Sequence, residues 1–183
     1  MKEEQMSQAA TMRGGEQVAW PSAGELAMGV AGPAAVGACV GMNFGIGGML
    51  TMAAMVPASI LGVGVVTLPG LYIGAAMLGA APDVRSTLAL AAGALRDMGI
   101  AMLGLAPALL FMTATSASND EATVVGSIVV FLGAALGVRA FFARSIEVVS
   151  GAAALPVFAI WAALSVGIGW QFYFKALAMT GGW

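Results

Sequence analysis

Between Leu26 and Pro82 the chain carries no Asp, Glu, Lys or Arg, and apolar residues follow one another with no polar face. One bilayer crossing takes roughly 20 apolar residues, because a rise of about 1.5 Å per residue must cover about 30 Å of hydrocarbon. The run is too long for one crossing and suits two. Three further apolar stretches follow, separated by short polar or charged segments. The pattern predicts spans at about 29–47, 55–78, 98–116, 122–138 and 155–174. The expected architecture is an all-α integral membrane bundle of about five transmembrane helices, or four if 29–47 is re-entrant.

The spans are unlike one another. In 29–47, Gly37, Gly41 and Gly45 recur every fourth residue and fall on one helical stripe. Such a stripe lets a second backbone approach closely, which matters in lipid, where apolar side chains gain nothing by leaving water. Gly133 and Gly137 repeat the spacing in 122–138. Asn43, inside the first span, should seek a hydrogen bond to another helix. Gly47-Gly48 allows a break before the second span. Pro57 sits near the start of that span, and Pro69 in its interior should kink it; Pro107 does the same in 98–116.

Charge then sets the boundaries. An ion at mid-bilayer costs about 2.5–3.5 kcal/mol on insertion scales, so charged clusters mark loops and span edges. Residues 1–25 hold Lys2, Glu3, Glu4, Arg13, Glu16 and Glu25 and read as a polar N-terminal tail, closed by Trp20-Pro21-Ser22. Trp20 suits a headgroup layer, and Pro21-Ser22 a turn or helix start. The tail lacks the layout of a cleaved signal, so the first span is expected to be an uncleaved anchor. Residues 83–97 form a first charged segment, lying along the interface or extending the next helix, with Ser86 as a plausible N-cap. Arg96-Asp97 is expected as a charge pair at the edge of the third span. Residues 116–121 make a tight polar turn, and 139–150 a second arginine-bearing loop. Trp170 and Lys175 mark an interface at the end of the fifth span, ahead of a short tail at 179–183. Two arginines in each of the 83–97 and 139–150 segments, against two acids in 116–121, orient the chain by the positive-inside rule. The N-terminus is expected in the cytoplasm and the C-terminus outside, with the body at 26–178 a single domain.

Composition narrows the chemistry. Of 183 residues 60 % are hydrophobic and only 9 % charged, and there is no histidine. Imidazole acid–base chemistry and His-containing metal sites are therefore excluded. Cys39, the lone cysteine, has no base near it in sequence and reads as a small apolar residue. No carboxylate falls inside a predicted span, where a proton relay or aspartyl protease would need one. The phosphate-loop pattern is missing, and the 13 methionines are spread through the spans as gap-fillers rather than set in a copper-binding row. A net charge of −2 does not suit a nucleic-acid partner. Expected site residues are thus structural: no catalytic, cofactor or metal positions.

The order of several short phrases resembles an uncharacterised family of bacterial multi-pass inner-membrane proteins. They are Met55-Val56-Pro57 before Thr67-Leu68-Pro69-Gly70-Leu71-Tyr72 and Gly79; Leu105-Ala106-Pro107 with Leu110-Phe111 and Thr115-Ser116; Gly137 with Arg139; and Trp161 before Gly167, Gly169, Trp170 and Gln171. Similar chains carry Arg-Pro-Phe after that glutamine, where this one has Lys175-Ala176-Leu177. The five-span layout is also similar to the Yip1-type fold. The resemblance implies a bacterial cytoplasmic-membrane location and supplies no catalytic residues. The expected function is a non-enzymatic scaffold or accessory subunit that packs with itself or a membrane partner through its glycine faces. A small transporter or channel component is the alternative, ahead of an intramembrane enzyme.

Overall fold

The computed structural model describes residues 20–79, 81, 83–148 and 155–180. Among them the chain is helical throughout: α1 (Ala23–Gly41), a 3₁₀ turn (Met42–Phe44), α2 (Gly45–Met77), α3 (Val84–Thr115), α4 (Asn119–Val148) and α5 (Leu155–Met179). Four stretches are long and apolar enough to cross a membrane, and the first, Ala23–Met77, contains both α1 and α2. Most of the expected N-terminal tail, residues 149–154 and the last three residues lie outside the described residues.

Local chemistry explains the ends. The Ser22 hydroxyl accepts from the Glu25 N–H while the Glu25 carboxylate accepts from the Ser22 N–H. This capping box satisfies two donors that a helix start leaves open, and places Glu25 in the first turn of α1 rather than in a tail. The chain reverses at Met42–Phe44, not at Gly47-Gly48. Gly45 takes φ +77°, a conformation open to glycine and costly for other residues, and α2 starts there, ten residues before the expected span. Gly79, at φ +65°, ends α2 in the same way. The N-cap of α3 is Asp83 rather than Ser86; its carboxylate accepts from the Ser86 N–H at 3.1 Å. The 83–97 segment is thus the first part of α3. Likewise Arg139 and Arg144 stand on α4, which runs on to Val148 because no glycine or proline interrupts it after Gly137. With 32 and 30 residues, α3 and α4 reach about 45–48 Å, well beyond a hydrocarbon layer of about 30 Å. Pro57, Pro69 and Pro107 all lie within α2 or α3, and both helices continue through them.

The helices form a ring in the order α5, α2, α1, α3, α4, with α4 returning to α5. α1 lies antiparallel to α2, where Gly37 faces Met52 and Gly41 faces Gly48. It lies parallel to α3, where Glu25 meets Arg96, Gly32 meets Gly99 and the Cys39 thiol donates to the Ala106 carbonyl at 3.8 Å. α3 and α4 are antiparallel, with Met98 and Met102 over Gly137 and Gly133. α2 and α5 are antiparallel, joined by a Ser165–Thr67 hydroxyl bond of 3.2 Å and by Val157 against Gly74. The ring closes through aromatics: Phe131 on Trp170 at 5.0 Å, and Phe141 on Trp161 at 5.0 Å. Val36, Val40, Met52, Val56, Met98 and Met102 form the core around α1, while Leu71, Leu90, Phe141 and Phe158 form a second cluster.

Candidate functional site

The glycines of α1 carry the tightest contacts. A Cβ added at Gly37 or Gly41 would run into the backbone of Met52 or Gly48, and one at Gly32 into the backbone of Gly99. α1 is therefore held between two other backbones, and its glycine face is filled from within the chain. Gly45 takes no part in this seam. Nothing lies within 4 Å of a Cβ built on it, and its role is the positive-φ turn. Gly133 and Gly137 face methionine side chains, which can shift, rather than backbone.

Asn43 lies in the 3₁₀ turn instead of inside a crossing helix, and its Nδ2 is buried with no hydrogen-bond partner. Trp170 is exposed and stacks on Phe174 at 4.4 Å, with Lys175 exposed beside it. Close by, the Tyr173 and Ser127 hydroxyls meet at 3.1 Å and tie α5 to α4.

Arg96 and Asp97 are part of a larger constellation. Arg96 pairs with Glu25 at 2.5 Å and with Asp97 at 3.0 Å, and Arg144 reaches Asp97 at 2.5 Å. The cluster thus holds two cations and two anions, and it joins the first turn of α1 to α3 and α4. Each side chain keeps about a third of its surface exposed, between 30 % and 39 %, so solvent screens the pairs. The Ser22 N–H first, and then the Arg96 guanidinium, hold the Glu25 carboxyl below its usual range. The Asp83 carboxyl is lowered too, by the hydroxyl and N–H of Ser86. Arg144 lays its guanidinium over Gly93, and its Nη1 is buried without a partner. A small cavity of about 220 Å³ adjoins the cluster, lined by Trp20, Glu25, Gly93, Arg96 and Arg144.

A second cavity is far larger. α2 and α3 scarcely touch along their lengths. The space between the α2/α5 pair and the α3/α4 pair, beyond the start of α1, is a half-open cavity of about 820 Å³. Val63, Leu68, Leu88, Leu95, Val138 and Phe141 are among its walls, and Trp20 stands at the edge of both cavities. Of its buried polar groups, the Thr67 and Ser165 hydroxyls bond to each other, Thr67 also donates to the Val63 carbonyl at 2.8 Å, Thr87 donates to the Asp83 carbonyl at 3.1 Å, and the Trp161 Nε1 has no partner.

One feature has a signal in the sequence. Ser22 and Glu25 have the S-x-x-E spacing of a capping box, a signal of a helix start at Ala23. The partnership of Glu25 with Arg96 spans 71 residues and has no local signal. The cavity has none either, since its walls are mostly apolar residues of the predicted spans together with residues such as Leu88, Leu95 and Phe141 that read as parts of charged loops. Among the described residues no three His, Cys, Asp or Glu side chains come together as a metal site. Comparisons with protein-family models, with curated proteins and with solved structures find no match to this chain.

Proposed function

We propose that the protein is a non-enzymatic multi-pass protein of a bacterial cytoplasmic membrane that acts as a scaffold or accessory subunit for a membrane partner. The observation that carries this reading is the double seam of α1. Backbone-to-backbone contact on two sides, with the charged cluster fastening one end, makes a stiff framework rather than a moving one. The reading includes five crossings, with α1 as the first. α1 runs parallel to α3, so one end of the bundle carries Glu25, Arg96 and Arg144, and the opposite end carries Asp120 and Glu121. The positive-inside rule then supports a cytoplasmic N-terminus and an external C-terminus.

Because Gly37, Gly41, Gly133 and Gly137 are engaged internally, the partner-facing glycines in this reading are those left open. Gly70 on α2, Gly104 on α3 and Gly167 on α5 have nothing within 4 Å of an added Cβ. They sit among exposed apolar residues such as Val66, Ile73 and Leu164. The test is purification in mild detergent followed by identification of bound proteins. Gly104→Leu and Gly167→Leu should each remove the associated species while the bundle stays folded. Association unchanged in both, or recovery of the folded protein always alone, counts against the proposal.

A further inference from the structure

The cavity of about 820 Å³ is not absorbed by a scaffold role. It falls within the size of pockets that enclose a small-molecule ligand, roughly 300–1,000 Å³. Its walls come from α2, α3, α4 and α5, with Trp20 at the rim, and they are almost wholly apolar. We infer that this cavity is a binding site for the hydrocarbon chain of a membrane lipid.

Three observations lead to that occupant. Water is a poor one, because a water molecule needs two to four polar partners and apolar cavities stay dry. The hydroxyls of Thr67 and Ser165 are already bonded to each other and, through Thr67, to the Val63 carbonyl. An empty space of this volume would leave its lining without partner atoms on one side and forfeit their dispersion contacts. A helix from a second copy is too thick. With side chains it is about 10–12 Å across, so this volume holds no more than about two turns of one. A flexible chain of methylenes fits an irregular apolar space and is present at high concentration around a half-open cavity in a bilayer. The walls give a polar solute little to bind. Thr87 donates to the Asp83 carbonyl and Tyr173 meets Ser127, which leaves the Trp161 Nε1 as the lone buried donor without a partner among the described wall residues, and one donor does not hold a sugar, ion or amino acid. The inference is independent of the scaffold reading, which needs only the outer faces.

The wall provides its own test. Gly64 lines the cavity, and a Cβ built there meets nothing within 4 Å, so Gly64→Phe fills the space without a backbone clash. Ala91→Phe narrows it from α3. Leu50 is 62 % exposed and is not among the lining residues, so Leu50→Phe serves as the control. The full chain is delipidated in detergent, mixed with dioleoyl phosphatidylethanolamine, separated from free lipid and weighed by native mass spectrometry. The unsubstituted protein and Leu50→Phe should retain one lipid per chain. Gly64→Phe and Ala91→Phe, with helicity checked by circular dichroism, should retain at least tenfold less. No lipid retained by the unsubstituted protein overturns the inference whatever the variants do. So does equal retention by the two filled variants, or a lipid-free dimer that both fillings dissociate.

Discussion

Arg96 on α3 holds Glu25 in the first turn of α1, across 71 residues of chain, and the same arginine touches Asp97, which in turn holds Arg144 of α4. Three helices are thereby pinned at one level, at the end of the bundle where the arginines gather. The pin also sets Arg96, Asp97 and Arg144 against opposite charges where α3 and α4 pass the start of α1.

This arrangement is pH-sensitive in a defined direction. Glu25 has its carboxyl lowered by the Ser22 N–H and then by Arg96. A group whose folded pKa is depressed stabilises the fold fully above its unfolded value, about 4.3 for Glu, and loses that contribution as pH falls through the lower folded value. Thermal unfolding in detergent should show a Tm that falls below about pH 4.3 in the unsubstituted protein. In Glu25→Gln that component of the fall should be missing, with a Tm already lower at neutral pH. Equal pH dependence in the two proteins would rule out the pin as its source.

The seam of α1 predicts a sharp difference among glycines. Gly41→Leu drives a side chain into the backbone of Gly48, which cannot step aside, and should cost about 3 kcal/mol. Gly47 lies only six residues on, inside α2, with open space at its Cβ. Gly47→Ala should be neutral or stabilising by about 0.5–1 kcal/mol, from lost backbone freedom in the unfolded chain. Equilibrium unfolding in mixed micelles separates the two, and similar losses at both positions would contradict the seam.

Gly133 makes a different demand. Its missing Cβ is replaced by the end of the Met102 side chain, which is flexible. Gly133→Leu should therefore cost about 1–3 kcal/mol, and Met102→Ala in the same chain should recover part of it. A double-mutant cycle over these two positions is expected to give a coupling of about 1 kcal/mol. A cycle that sums to zero would show that the two residues do not compete for one space.

Reporter fusions address the crossings. A reporter placed at Asn119, the first residue of α4, and another after Trp183 should both read out as external. With the Asn119 reporter external, a cytoplasmic reading at the C-terminus would remove α4 or α5 from the count of crossings, since these two helices separate the two sites.

The presence of stretches long and apolar enough to cross a membrane could be read from the chain alone because it depends on length and polarity summed over about 20 residues, a quantity that neighbours do not alter. The four apolar stretches and their order follow from that, as does the preference for glycine at close contacts; the polar turn expected over 116–121 is shorter, because Asn119, Asp120 and Glu121 already belong to α4. Local signals also marked the start of α1, where Ser22 and Glu25 have the spacing of a reciprocal cap. What the pattern could not decide was where each helix stops. Hydropathy falls at Arg139 and before Met98, but a helix ends only where its backbone bonds find another partner, and none intervenes there. Hence α3 and α4 outrun their apolar segments. The role of each glycine was equally hidden, because Gly37, Gly41 and Gly45 share one stripe in a straight helix and the chain turns at Met42–Phe44, before the third of them. Pairings such as Glu25 with Arg96, and the cavity between α2 and α3, arise only when helices far apart in sequence take their places. Packing in lipid is decided by fit between whole surfaces, and fit is a property of the assembled bundle.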